Sequence, residues 1–322
     1  MTRARRPGCR DLNGVLLLDK PTGISSNRAL QEVKRYFSAC KAGHTGSLDP
    51  LASGLLPICL GEATKVSQFL LDADKRYEVS ARLGETTTTF DAEGEVVAVR
   101  PVAVNLAQVT AALARLTGEI AQIPPMYSAI KQSGQPLYKL ARSGQTVERA
   151  PRQVRIYSIE LLELGQEQLK LAVFCSKGTY IRSLVYDLGE MLGCGAHVLT
   201  LKRLQSGQFL LKDAMSLTQL HETAVAENLT RLLPPDSVLS RLPAVNLVQT
   251  AASAVMCGQR VVIAETGLTG WVRLYAQTQQ GNRFLGIGQA EADGTIVPKR
   301  LFITPESPAM PEKSVEVRGL GG

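Results

Sequence analysis

Hydrophobic and polar positions alternate along this chain in patterns that mark out its elements. Gly14 to Leu18 is a short run without charge, the mark of a buried strand. Lys20-Pro21-Thr22-Gly23 then turns the chain. Ser25 or Ser26 can cap a helix in which Leu30, Val33 and Phe37 recur at i, i+3 and i+7. Glu62 to Leu71 reads as a second helix. From Lys75 to Gly84 the apolar residues Tyr77, Val79, Ala81 and Leu83 fall on every other position, which predicts a half-buried strand. Asn105 caps a helix with Leu106, Val109, Leu113 and Leu116 on one face, ended by Gly118. Arg155 to Leu164 and Gln168 to Cys175 read as a hairpin opened by Gly165. Ile181, Leu184, Val185, Leu188 and Leu192 then give a helical face stopped by Gly193. Residues 210–240 alternate helical patterns up to Pro234-Pro235. Beyond about 244 the texture changes to short strands, around Trp271 to Tyr275, Phe284 to Gly288 and Thr295 to Val297, between Gly, Asn and Asp turns. That texture predicts a small β-barrel-like module. There is no internal repeat.

The chain has 322 residues, enough for two domains, and is 44% hydrophobic and 20% charged. A net charge of +7 favours polyanionic partners. The six cysteines form no C-x-x-C pair and His44, His197 and His221 are scattered, which argues against a zinc site. The longest early apolar run, Val15 to Leu18, is too short for a signal peptide or a membrane span. The expectation is a cytoplasmic protein with reduced thiols and no membrane association. Residues 1–13 are basic and without period, an expected flexible arm, and the tail over 305–322 is expected to be disordered. Within 124–155, Lys131, Lys139, Arg142, Arg149, Arg152 and Arg155 stand against Glu148 alone, with Tyr138 among them. Such a segment can grip phosphates and stack a base, or be a solvated loop.

Chemistry concentrates in Gly43-His44-Thr45-Gly46-Ser47-Leu48-Asp49-Pro50-Leu51-Ala52-Ser53-Gly54. Glycines permit positive φ, and Pro50 drives Asp49 out of the helical region. Asp49 is thus expected on a stiff turn with its carboxylate aimed by the backbone. Local pattern alone also allows a plain Asp-Pro turn, a structural His44, a core Tyr77, and a solvated Lys20 and Arg182.

The whole stretch, continuing to Lys65, resembles the catalytic motif of the bacterial tRNA pseudouridine-55 synthases, the TruB family. Asp19 to Ser25 is similar to that family's opening motif and Lys75 to Gly84 to its Tyr-bearing strand. Thr87, Thr89, Asp91 and Gly94 fit its T-x-T-x-D-x-x-G element. Lys177 to Ser183 resembles its K-G-T-Y-I-R-S motif and Leu201 to Phe209 its L-R-R-x-x-x-G-x-F segment. Ser47, where Ala is common, and Lys202, where Arg is, depart from the pattern.

The resemblance implies an α+β pseudouridine synthase fold with a large, mostly antiparallel central sheet and a small C-terminal PUA-like β domain. The implied division is a catalytic domain over 14–240, with an RNA-gripping insertion over 124–155, and an RNA-binding domain over 244–304. It implies Asp49 as the catalytic residue and Arg182 as its ion-pair partner, keeping it ionised. Tyr77 stacks on the target uracil and is a candidate for the C5 proton step. His44, Tyr180, Leu201 and Lys20 belong to the substrate site, with Lys20-Pro21 supporting the catalytic loop. The implied substrate is the T-loop uridine of the tRNA T arm, flipped out of its fold. No metal or organic cofactor and no obligate protein partner is implied, and the chain is expected to act as a monomer. The carboxylate can attack a ring carbon, attack C1′, or take a proton from C2′. The alternatives are a non-catalytic RNA-binding or tRNA-folding factor on the same scaffold, and a synthase of an RNA-guided complex.

Overall fold

The computed structural model describes residues 8–302 apart from 129, 133, 264–266 and 280. The tail expected over 305–322 lies outside the described residues. The chain divides into two compact units, one comprising residues up to Gly61 and Ser67–Leu233, the other Glu62–Val66 and the residues from Pro234 onward.

The first unit is built on a sheet of ten strands among the described residues. They are β1 (Gly14–Lys20), β2 (Ala42–His44), β3 (Ser53–Leu60), β4 (Lys75–Leu83), β5 (Gly118–Gln122), β6 (Arg152–Leu164), β7 (Gln168–Cys175), β8 (Ala196–Ser206), β9 (Phe209–Leu210) and β10 (Met215–Ser216). Their order is β10-β1-β3-β8-β4-β7-β6-β5, with β2 beside β3 and β9 beside β8. Only the β1–β10 and β3–β8 pairs are parallel, so the sheet is mostly antiparallel, as expected. The alternation read in β4 is real: Tyr77, Val79, Ala81 and Leu83 are buried and the residues between them are not. Helices α1 (Ser26–Tyr36), α2 (Leu106–Arg115) and α3 (Ile181–Met191) supply Leu30, Val33, Val109, Leu113, Leu184 and Leu188 to the core that the strands share. Ser25 and Asn105 cap their helices as expected, Asn105 in a reciprocal box with Gln108.

Several expectations are corrected. Leu106, placed on the apolar face of α2, is 60% exposed in the first turn, ahead of the turns that meet the core. The helix expected from Glu62 to Leu71 is a 3₁₀ turn over Gly61–Lys65 and one short turn over Gln68–Leu71. Arg300 takes the Lys65 carbonyl at 2.9 Å and Lys65 Nζ donates to Leu301 O at 2.7 Å, so residues 62–66 serve the second unit instead of a continuous helix. The expected loose arm is held at Arg10: Arg10 N donates to Ser38 O at 2.7 Å and Cys40 N to Arg10 O at 3.1 Å. A disulfide joins Cys9 to Cys40, against the expectation of six reduced thiols; Cys59, Cys175, Cys194 and Cys257 are free. The two cysteines meet because Arg10 and Ala39 pair as a bridge beside them.

The basic insertion folds as a two-stranded turn, Lys131–Gln132 with Gln135–Pro136, followed by a short helix over Leu137–Arg142. Arg149 ties its return to the Pro124 carbonyl at 3.0 Å.

The second unit is the expected small PUA-like β domain. Five strands run in the order Ala244–Leu247, Gly270–Thr278, Gly281–Ala290, Thr295–Leu301 and Val261–Val262. They enclose a core of Val245, Leu247, Val272, Leu274 and Ile296, joined by Val255 and Met256 of the helix Gln249–Met256.

Candidate active site

The glycine- and proline-rich loop between β2 and β3 is held from both sides of Asp49. The Ser26 hydroxyl accepts from Leu48 N at 2.7 Å and donates to Leu48 O at 2.9 Å. Gly23 N takes the Pro50 carbonyl at 2.8 Å. Asp49 O then accepts from Ala52 N at 3.1 Å, closing the turn that Pro50 initiates. Gly46 and Gly54 carry φ of +89° and +99°. At Gly54 a Cβ would stand 2.4 Å from the Arg203 carbonyl, so close approach of the loop to β8 demands glycine there. The stiffness expected of the stretch is therefore the product of its own turns and of partners on α1 and β8.

Arg182, in the first turn of α3, meets the loop. Its Nη2 lies 3.0 Å from Asp49 Oδ2 and its Nη1 3.2 Å from Asp91 Oδ2. The same two nitrogens donate to the Tyr127 carbonyl at 2.7 Å and the Thr89 carbonyl at 3.0 Å. The guanidinium is buried and shared between two carboxylates. Asp91 is itself buried, receiving Thr89 Oγ1 and the Glu93 amide at 3.1 Å. The resemblance picked out Asp91 only as a member of the T-x-T-x-D-x-x-G element; what ties it to Asp49 is a guanidinium from a distant segment.

Asp49 behaves differently from the ion-pair expectation. Its side chain is 42% exposed toward the cleft, yet the surrounding protein displaces enough water to push its pKa above the ordinary carboxylate value. Arg182, the next influence, pulls it down, and Asp91 pushes it up again. Desolvation outweighs the pull of Arg182, which the negative charge of Asp91 opposes.

Asp49 stands between two cavities. The first, of about 320 Å³, is lined by Asp49, Arg182, Tyr77, Tyr180, Leu201, Lys75 and Arg203 among others. Its lining mixes apolar and aromatic side chains (Leu71, Tyr77, Tyr180, Ile181, Leu201) with the charged groups and with Ser47, Ser128, Ser176 and Thr179. Tyr180 is set by a reciprocal pair with Gln122, whose Oε1 accepts from Tyr180 N at 2.8 Å and whose Nε2 donates to Tyr180 O at 3.0 Å. Burial raises the pKa of the Tyr77 and Tyr180 phenols, so both carry their protons at neutral pH, and Tyr77 is poorly suited to remove one from C5. The second cavity, of about 330 Å³, is lined by Asp49, Arg182, His44, Pro50, Tyr127 and Tyr138 among others. Burial and Arg203 lower the His44 pKa, leaving a neutral imidazole whose Nδ1 has no hydrogen-bond partner among the described residues.

The structure thus brings Asp49, Tyr77, Tyr180, Arg182 and Leu201 to one pocket and sets His44 across Asp49 in the other. Lys20 lines neither. It is 0% exposed, donates to the Pro21 and Ile24 carbonyls at 2.7 Å each, and is lowered to about 8 by burial against the pull of Asp49 and Glu93. Lys20, expected in the substrate site and as a support of the catalytic loop, spends its ammonium on the turn after β1, whose Gly23 amide takes the Pro50 carbonyl. Lys75 and Arg203 are the further pocket residues that pattern reading passed over. Lys75, also lowered to about 8, spends its ammonium on the Leu70, Leu71 and Ala73 carbonyls. Among the described residues no cluster of His, Cys, Asp or Glu could hold a metal ion, and no helix is long and apolar enough to cross a membrane.

Comparison with known proteins matches this geometry to a family. The profile described as "TruB family pseudouridylate synthase (N terminal domain)" matches residues 34–181. "tRNA pseudouridylate synthase B C-terminal domain" matches 182–240 and "Pseudouridine synthase II TruB, C-terminal" matches 243–302. A protein of Stutzerimonas stutzeri (strain A1501) named tRNA pseudouridine synthase B is 54% identical over 91% of this chain and 96% of its own length. One of Nitrosococcus oceani bearing the same name is 53% identical over 94% and 99%. Among solved structures, the archaeal box H/ACA sRNP Nop10–Cbf5 complex superposes with a TM-score of 0.69 at 23% identity, covering 96% of both chains, a likeness of fold. From loop to second β domain, the chain belongs to the TruB family of pseudouridylate synthases.

Proposed function

We propose that the chain converts a uridine of tRNA to pseudouridine, and that its target is the T-loop uridine presented by the T arm. The observation that carries this reading is the Asp49 carboxylate, paired with a buried Arg182 at the edge of a cavity walled by Tyr77, Tyr180 and Leu201. Those surfaces suit a flat pyrimidine entering edge-on, with the carboxylate at its sugar end. Asp49 is the group that acts on the nucleoside; Arg182 aims it and offsets part of the desolvation it suffers. A uridine inside a folded loop exposes neither its glycosidic bond nor C5, so the base leaves the stack to enter the pocket. The second cavity, with His44 at its wall, is where displaced loop nucleotides are accommodated. The basic insertion over 124–155 and the C-terminal β domain hold the RNA through its phosphates. The N1–C1′ bond breaks and C1′ joins C5, which gives up a proton while N1 gains one, so the reaction is an isomerisation and needs no redox partner. The protein works in the cytoplasm as a monomer, with the tRNA as its partner.

The experiment is to incubate the purified chain with unmodified tRNA, and separately with an isolated T-arm hairpin, and to map pseudouridine. The expected result is a single modified uridine in the T loop of both. Modification elsewhere, or of neither RNA, overturns the reading; modification of the tRNA but not the hairpin overturns the T-arm assignment.

A further inference from the structure

Arg155, counted in sequence with the basic insertion, belongs to β6 and begins a row across three adjacent strands, β6, β7 and β4. Burial alternates along each of them. Val154, Ile156, Val173 and Tyr77 face the core, which turns Arg155, Tyr157, Phe174 and Arg76 to the opposite face. Arg155 Cζ stands 5.8 Å from the Tyr157 ring centre, the Tyr157 and Phe174 rings are 4.8 Å apart, and Arg76 Cζ lies 5.2 Å from the Phe174 ring centre. Phe174 and Arg76 are direct cross-strand partners. Two adjoining rings are thus bracketed by two guanidiniums, and Tyr157 is 41% exposed. The acids beside the row are already engaged. Asp74 accepts from the Tyr157 hydroxyl at 3.1 Å and Asp72 from Lys177 Nζ at 2.9 Å. Among the described residues neither Arg76 nor Arg155 has a carboxylate partner. A guanidinium lying over a ring uses its face and keeps its N–H donors free around the edge. The row also reaches the pocket. Ser176, the residue after β7, lines the Asp49 cavity, and its hydroxyl accepts from Arg155 N at 2.9 Å.

We propose that this face of β4, β7 and β6 is a docking surface for the ribose–phosphate backbone of the RNA whose uridine occupies the pocket. This rests on the pseudouridine synthase reading and adds a surface apart from the insertion and the C-terminal β domain. Cross-strand packing accounts for the two rings. It leaves two guanidiniums, held in place by those rings, with their donors unspent beside the rim of the pocket. A planar fork of N–H donors matches a phosphate, and Arg76 and Arg155 each take one. The Tyr157 and Phe174 rings between them give a ribose an apolar floor. An acidic peptide would satisfy the same two charges. Only the RNA has a further reason to lie here, because the same molecule delivers a base to the cavity that Ser176 lines. The rings fix the guanidiniums before RNA arrives, so little side-chain freedom is lost on binding. No base edge is read, and the surface adds affinity without sequence preference.

The test is a titration of the T-arm hairpin at several salt concentrations, with thermal midpoints measured in parallel. Arg76→Gln and Arg155→Gln are each expected to weaken binding about 5-fold. Each is also expected to flatten the slope of log affinity against log salt by about 0.7–0.9, the share of one phosphate. The double variant is expected to lose about twice that slope. Arg115→Gln removes an exposed arginine from the last turn of α2 and is expected to change neither quantity. Tyr157→Leu keeps both charges but removes the ring under Arg155, and is expected to weaken binding with little change in slope. Arginine variants that bind like the unsubstituted chain, or that lower only the midpoint, overturn the proposal and leave the row as sheet packing. An equal loss in Arg115→Gln overturns it by tracing the effect to net charge, and full affinity in Tyr157→Leu overturns the part given to the rings. If product forms while the arginine variants keep full affinity, the docking surface alone is retired. A hairpin bound without product by the unsubstituted chain retires the functional reading instead.

Discussion

Arg182 Nη2 approaches Asp49 Oδ2 to 3.0 Å, while Arg182 Nη1 reaches Asp91 at 3.2 Å. One buried cation thus answers to an acid exposed to the cleft and to one that is buried. The arrangement holds Asp49 in place without neutralising it completely, and desolvation raises its pKa despite the pair.

Asp49→Asn keeps the size of the side chain and a hydrogen-bonding oxygen but removes the charge. Pseudouridine formation is expected to fall by at least ~10³-fold, within the range for losing a positioned catalytic group. Affinity for the T-arm hairpin is expected to stay within a few-fold. Product mapping and a binding titration check both; appreciable turnover in the variant would contradict the role given to Asp49.

Asp91→Asn removes the like charge that pushes Asp49 upward and frees Arg182 for a single acid. The acid limb of the rate profile is therefore expected to move to lower pH. Loss of one partner from a buried ion pair is also expected to cost about 1–3 kcal/mol, because the amide retains part of the hydrogen bonding. A rate profile and a denaturant titration measure the two effects separately.

For the unsubstituted enzyme the same directions predict a bell. A raised Asp49 pKa means that its ionised form is lost, as pH falls, at a higher pH than for an ordinary aspartate. On the alkaline side, the pKa values of Lys20 and Lys75 are lowered to about 8, so their ammonium bonds, to the Pro21 and Ile24 carbonyls and to those of Leu70, Leu71 and Ala73, weaken as pH rises through that value. Linkage gives the stability effect the opposite sign. Each lysine's folded pKa lies below its unfolded one, so their burial penalty is full below about pH 8 and is relieved toward 10.5. The single-turnover rate is expected to fall above about pH 8 without loss of folded protein, as followed by circular dichroism. A rate flat through that region would show that the carbonyl bonds of neither lysine support the site.

Gly54→Ala places a methyl group 2.4 Å from the Arg203 carbonyl at φ +99°, where backbone would have to move. It is expected to cost more than the ~1–3 kcal/mol of a strained residue alone and to lower the rate through the displaced loop. Gly178→Ala, at φ +78° but with open space around it, is expected to pay only the conformational part, about 1 kcal/mol. Thermal midpoints of the two variants make the comparison.

Local periodicity by itself determined much of the architecture. The β4 alternation, the α1 and α3 faces, the Asn105 cap and the hairpin around Gly165 were legible because each is a relation between residues a few positions apart. The contiguous motif around Asp49 was enough to name the family and to single out the carboxylate that Arg182 meets. What only the tertiary structure decided are relations between remote segments. Asp91 enters the site through a guanidinium on α3, and Lys20 is withdrawn from substrate by carbonyls that fold over it. Residues 62–66 serve partners near Arg300, and Arg203 ties Gly46 to Leu55 from a strand position opposite Tyr77. Even the protonation of Asp49 could not be read from its pairing with Arg182, because desolvation depends on everything that surrounds a group and not on its neighbours in the chain.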